Sequence, residues 1–197
     1  MQLVEKVPEE PHDVAVDMIV TENETIACGN SSYSKFRVAV LASGRGSDFE
    51  SVIEAKKQGK ISIDIVALIT DNPEAAAIKR AEENNIPAFA IGHKSREELD
   101  AKILAKLDEL SPDLVVLAGY MKIIKSEKLL SAYAGKIINI HPSLLPKYPG
   151  AHAQKDAFEA GEKVSGFTIH FVDSSLDGGP IIYQEKVAIS DCKTWED

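Results

Sequence analysis

From residue 36 onward, two kinds of hydrophobic pattern alternate along the chain. Short apolar runs at residues 36–41, 61–69, 87–91, 114–117 and 136–140 are rich in Val, Ile, Leu and Ala, and each predicts a buried strand. Between them, residues 48–58, 73–84 and 95–110 carry apolar positions at helical spacing. Pro73 falls where the first turn of a helix tolerates a missing N–H. Ser95-Arg96-Glu97-Glu98 is a capping-box start for the helix that runs to Leu110. A further helix is expected after Pro149-Gly150, and residues 164–172 and 180–188 read as two strands around a loop at 174–179. Strands alternating with helices imply an α/β fold, a single open, mostly parallel sheet with helices on both faces. Ligands of such sheets bind beyond the carboxyl ends of the strands. Ser43, Tyr120 and His141 all fall just after predicted strands.

The first 35 residues are different. Pro8-Glu9-Glu10-Pro11 is polar and turn-prone, residues 14–20 read as one strand, and residues 29–34 have the composition of a flexible linker. Residues 1–35 are therefore read as an N-terminal extension of unknown role, ahead of a domain at 36–197. At the far end, Asp191 and Thr194 have the look of a helix start.

Composition narrows the function classes. A chain of 197 residues with 44% hydrophobic and 27% charged residues has room for one α/β domain with a substantial core. The net charge of -9 argues against nucleic acid as a main partner, because phosphate binding over a large surface needs a basic face. A small phosphorylated ligand needs only a local nest of donors, so small-molecule substrates remain. The two cysteines, Cys28 and Cys192, have no metal-ligand spacing and read as unpaired thiols. No apolar stretch approaches the roughly 20 residues of a membrane helix, and the N-terminus lacks a signal-peptide core. A cytoplasmic protein with no membrane partner is expected; the oligomeric state is not set by the sequence.

Two segments carry candidate chemistry. Asn139 and His141 stand two residues apart at the end of an apolar run, so on a strand they share a face. Pro142 cannot donate to a sheet ladder and should stop the strand. The pair suits a reaction through a tetrahedral oxyanion, with Asn139 donating to the developing charge and His141 moving a proton. The plainer alternatives are a strand-end cap and a packed histidine. Ser43-Gly44-Arg45-Gly46-Ser47 follows the first strand and opens a helix, which suits anion binding on free N–H groups or a tight turn without a ligand. Neither a metal-type cluster nor a Gly-x-Ser-x-Gly elbow is present, so the nucleophile belongs to the substrate.

The ordered run Asn-x-His-Pro-Ser-Leu-Leu-Pro-x-Tyr-Pro-Gly from Asn139, with Leu176-Asp177-Gly178-Gly179-Pro180 further on, resembles the folate-dependent formyltransferase family, and within it the phosphoribosylglycinamide formyltransferases of purine biosynthesis. The resemblance runs from about Phe36 to the end and implies their Rossmann-like fold, with the last family helix missing from a truncated C-terminal part. It implies formyl transfer from 10-formyltetrahydrofolate, a co-substrate, to the amine of phosphoribosylglycinamide, without a metal. Asn139, His141 and Asp177 match the catalytic positions. Gly46, Ser47 and Asp48 match those that meet the substrate phosphate, with Asp48 where Asn is usual. Arg96, Met121, Lys122, Ile123, Ile124, Asn139, Val172, Asp173 and Asp177 match the folate site. Lys122 replaces an Arg, which removes bidentate geometry. Arg96 reads equally as a solvated helix-start residue, Asp177 as part of an Asp-Gly-Gly turn, and Ile123 as part of a half-buried connection. His170 either faces the site or packs, and His152 reads as a surface residue. The alternatives kept open are a formyltetrahydrofolate deformylase, in which water replaces the amine, and an inactive ligand-binding fragment. The deformylases tend to carry a second His where this chain has Pro142.

Overall fold

The computed structural model describes the backbone of residues 18–20 and 25–27 and the whole of residues 35–195. The chain divides into two units, Met1–Ser34 and Lys35–Asp197. In the first, β1 (Met18–Val20) pairs antiparallel with β2 (Thr25–Ala27). The strand expected at 14–20 is thus present over its last three residues. Residues 14–17, the linker at 29–34 and Cys28 lie outside the described residues.

The second unit is built on a seven-stranded sheet. Its strands are β3 (Phe36–Leu41), β4 (Ile63–Thr70), β5 (Ala88–Ala90), β6 (Leu114–Leu117), β7 (Ile137–His141), β8 (Val164–Phe171) and β9 (Ile181–Ala188), in the spatial order β5-β4-β3-β6-β7-β8-β9. The first five of these pair in parallel, whereas β8 and β9 are antiparallel additions. Strand order reverses between β3 and β6, which opens a crevice at their carboxyl ends. Each strand lies within about two residues of its expected place.

Two apolar cores sandwich the sheet. One packs Leu99, Ile103 and Leu107 of α3 (Arg96–Leu110) and Leu129 of α4 (Glu127–Ala132) against Ala39, Leu41, Ala67, Ile69, Val115 and Leu117. The other packs Phe49 and Ile53 of α1 (Ser47–Lys57) and Ala77 and Ala81 of α2 (Ala76–Glu83) against Val38, Val40, Leu68 and Val116. Alternation along β3 divides its residues between these faces. On β4 the alternation is broken by a bulge. Val38 pairs with Ile65 but Ala39 pairs with Ala67, so Val66 is the extra residue. Ile65 therefore joins the α1/α2 core while Ala67 and Ile69 join the other. Fully burying a Leu or Ile of these cores stabilises by about 1.5–3 kcal/mol.

The helix ends follow local chemistry only in part. Ser95 caps α3 through the Glu98 N–H at 3.2 Å, but the Glu98 carboxylate reaches back to the Lys94 N–H, one residue before the expected capping-box donor. Pro73 lies in the turn before α2, which starts at Ala76. The short helix α4 has no strong pattern of its own. Ser126 caps it through the Leu129 N–H. α5 (Ala153–Glu159) follows the Pro149-Gly150 turn as expected. Every residue of β9 is exposed, although it contains Ile181, Ile182, Tyr183 and Val187.

Candidate active site

β7 ends at His141, immediately before Pro142, and places Asn139 and His141 on one face. β8 runs antiparallel beside it, with His170 directly opposite Asn139. The 173–179 loop then brings in Asp177. Gly179 makes that approach possible, because a Cβ there would lie 1.9 Å from the Phe171 carbonyl oxygen. Asp177 itself adopts φ of 51°, a left-handed conformation that Asp tolerates better than most residues.

The four side chains form one cluster. Asn139 Nδ2 lies 3.1 Å from His170 Nε2 and 3.5 Å from Asp177 Oδ1. His170 Nδ1 lies 2.9 Å from the Phe171 carbonyl, which can only accept, so Nδ1 carries the proton and Nε2 accepts from Asn139. That fixes which way the Asn139 amide faces. Its other N–H has only the long contact to Asp177 and is the one available to a ligand oxygen.

His141 is 4% exposed. Its Nε2 donates to the Tyr148 carbonyl at 2.8 Å, which leaves Nδ1 facing Asp177 Oδ2 at 3.5 Å. A proton added to Nδ1 would sit against that carboxylate. Asp177 Oδ2 also accepts the Gly150 N–H at 2.7 Å, so one carboxylate ties the 148–150 turn to the two strands. Tyr148 holds φ of 56°, a costly conformation for a bulky residue, on the order of 1–3 kcal/mol. Its carbonyl is held there by His141 and by the Ser143 hydroxyl.

Two loops flank this cluster at the carboxyl edge. The first follows β3. Gly46 precedes α1 with φ of 70°, and a Cβ there would meet Ala77 Cβ at 2.7 Å. The loop is braced from α2 and from the turn after β4: Arg80 donates to the Arg45 carbonyl, Ala77 N–H to the Gly44 carbonyl and Asn72 to the Ser43 carbonyl. The first-turn N–H groups of α1, at Ser47 and Asp48, are those a helix leaves without internal partners. Asp48 is half-buried, and burial pushes its carboxyl up from the ordinary value of 3.8.

The second loop follows β6. Met121 and Ile123 are 60% and 52% exposed, and Lys122 approaches Asp71 at 3.8 Å. Ile124 points the other way, into the core, so its side chain is not presented with theirs. Arg96 is neither free nor simply solvated: it donates to the Ile123 carbonyl and lies 3.7 Å from Asp100. Burial pushes the Tyr120 phenol upward; Arg96 opposes this, while the Asp71 and Asp100 carboxylates add to it. Val172 is half-buried, with its N–H bonded to the Ile137 carbonyl. Asp173 bonds the Ser175 hydroxyl and N–H, which hold its carboxyl below the usual range. His152 is exposed, as read from the sequence. Among the described residues no cluster of metal-ligating side chains occurs, and no helix is long and apolar enough to cross a membrane.

This site can donate to an oxygen, hold a proton and flank both with a backbone nest and an apolar-edged loop. Comparison with known proteins gives the family. The formyl transferase family matches residues 36–197. The phosphoribosylglycinamide formyltransferase of Bacillus subtilis is 45% identical over 163 residues, covering 81% of this chain and 83% of that protein. That of Escherichia coli is 42% identical over 155 residues, covering 77% and 73%. The trifunctional purine biosynthetic protein adenosine-3 of Drosophila melanogaster is 45% identical over 163 residues, but these make up 12% of that longer protein. Among solved structures, glycinamide ribonucleotide transformylase 1 of Symbiobacterium toebii has a TM-score of 0.80 at 35% identity, covering 90% of this chain and 83% of that one. The chain belongs to the formyl transferase family, as its Asn139 motif led us to expect.

Proposed function

We propose that the chain transfers a formyl group from 10-formyltetrahydrofolate to the terminal amine of phosphoribosylglycinamide. The observation that carries this reading is the meeting of Asn139 and His141 of β7 with Asp177 of the 173–179 loop, within 3.5 Å contacts, at the carboxyl edge of the sheet. The backbone at Gly46, Ser47 and Asp48 receives the acceptor's phosphate. The exposed side chains of Met121 and Ile123, with Lys122 and the backbone of Ile124, line the pterin pocket opposite Val172, Asp173 and Asp177. Arg96 serves that pocket through the Ile123 carbonyl.

The amine attacks the formyl carbon and the carbonyl electron pair moves onto oxygen. Asn139 donates its second N–H to that oxygen, while His141, with Nδ1 facing Asp177, handles the proton and helps polarise the same carbonyl. Asp177 takes the proton lost by the amine through a water. As the tetrahedral centre collapses, the C–N bond to folate breaks and a proton reaches the departing folate nitrogen. Nothing is oxidised or reduced. The gain comes from positioning and from donors already aimed at the oxyanion.

The test is the folate absorbance change with and without the amine acceptor. Turnover that needs the acceptor supports transfer. Formate release without it would instead support hydrolysis, the activity named for a Pseudomonas syringae deformylase that is 30% identical and of which this chain covers 55%.

A further inference from the structure

Behind the exposed Met121 and Ile123 lies a polar pair on α3, a buried Asp100 and a half-buried Arg96, that takes no part in the formyl-transfer step. Asp100 is 1% exposed. Its Oδ2 accepts two backbone N–H groups, from Lys125 at 2.8 Å and Ser126 at 2.9 Å. Its Oδ1 has no hydrogen-bond partner and faces Arg96 Nε at 3.7 Å. Arg96, one turn earlier on the same helix, donates to the Ile123 carbonyl. Two side chains of α3 thus hold three backbone groups between residues 123 and 126. At the other end of the segment, the Ser43 hydroxyl accepts the Met121 N–H at 3.0 Å.

A buried carboxylate is costly unless it is paired, and an apolar residue would pack at this place with less penalty. What the carboxylate supplies is a fixed path for a segment that is neither helix nor strand. Without anchors, Met121 and Ile123 would gain by turning inward, since each exposes about half of its apolar surface or more. With the backbone pinned on both sides, Tyr120 and Ile124 fill the core and Met121 and Ile123 stay outward.

We propose that Asp100, acting with Arg96, is a positioning residue for the folate pocket: it sets the backbone from which Met121 and Ile123 are presented to the pterin ring. This rests on reading residues 121–124 as that pocket's wall. It assigns Arg96 to holding the backbone of that wall at Ile123.

The test uses the full chain carrying Asp100→Ala or Asp100→Asn, with KM measured for each substrate and amide exchange followed at residues 121–126. Loss of two buried acceptor contacts predicts that Asp100→Ala raises KM for the formyl folate about tenfold, with kcat and KM for the phosphorylated amine within about threefold. Asp100→Asn keeps an acceptor but loses the charge facing Arg96, so a rise of about threefold is expected. Both variants should speed exchange of the Lys125 and Ser126 amides. If Asp100→Ala does not fold, Asp100→Asn carries the test alone. An unchanged folate KM in a folded variant, or an equal rise in both KM values, overturns the assignment. Such a result leaves the formyl-transfer reading standing, because that reading fails separately if the unsubstituted chain shows no acceptor-dependent turnover.

Discussion

The Asn139–His141–His170–Asp177 cluster and the two flanking loops are built in different ways. In the cluster, side chains bind one another across two hydrogen-bonded strands: Asn139 to His170 and both toward Asp177. In the loops, side chains from neighbouring elements bind backbone: Arg80 and Asn72 hold the loop after β3, while Arg96 and Asp100 hold the loop after β6. In the proposed reaction, the first arrangement aims individual functional atoms at a reacting carbon. The second shapes a surface whose own functional groups are backbone N–H donors or apolar side chains. Substitutions in the cluster should therefore act on kcat, and substitutions around the loops on KM for one substrate at a time.

The largest expected effect is in the cluster. Asn139→Ala removes the proposed oxyanion donor and should lower kcat by about 10²–10³, measured at saturating levels of both substrates. Wild-type-like turnover would remove its role. Asp177→Asn comes next. Asn tolerates the left-handed backbone and can still accept the Gly150 N–H, so the fold is kept while the charge facing His141 is lost. A fall in kcat of about 10²-fold with little change in folate affinity is expected. A change in affinity alone would make Asp177 a turn residue and collapse the contrast between cluster and loops.

The loop side of the contrast is tested at Gly46. Because a Cβ there collides with Ala77 and the backbone is left-handed, even Gly46→Ala should displace the loop. KM for the phosphorylated amine should rise about tenfold, on the order of the strain such a backbone stores, with folate KM unchanged. A rise in folate KM alone would assign the loop to the wrong substrate.

The smallest effect is at Asp48. A carboxylate near a screened phosphate repels it by on the order of 1 kcal/mol, so Asp48→Asn should lower the same KM a few-fold. Stability gives a second readout. Burial raises the folded carboxyl above 3.8, so between 3.8 and that raised value the folded chain binds more protons than the unfolded one. Stability is lost as pH rises through that window. The Asn variant avoids this loss, so its Tm should exceed that of the unsubstituted chain at neutral pH and the gap should close in acid. A gap that widened in acid would contradict the assigned environment.

Read from sequence, β3 and β6 were located to the residue, because an apolar run bounded by polar loops needs no partner to be recognised. Asn139 and His141 were paired by strand periodicity alone. α4 has too little pattern over six residues to be predicted, and its cap residue Ser126 is held by the Asp100 carboxylate, 26 positions earlier in the chain, which takes the Ser126 N–H. The family resemblance groups Ile124 with Met121 and Ile123, whereas packing turns its side chain into the core.

His170 shows where the boundary between the two lies. Its chain position left open whether it faced the site or packed. The β7–β8 register set it opposite Asn139, and the Phe171 carbonyl chose the tautomer that orients the amide. The sequence by itself determined the strands, most of the helices and the family to which the chain belongs, because periodicity, caps and turn residues act over a few neighbouring positions. Only the tertiary structure decided how Asp177 reaches His141, which way Asn139 faces and what holds the 121–126 segment. Those contacts join residues far apart in the chain, and they exist only after the sheet has set the register that brings them together.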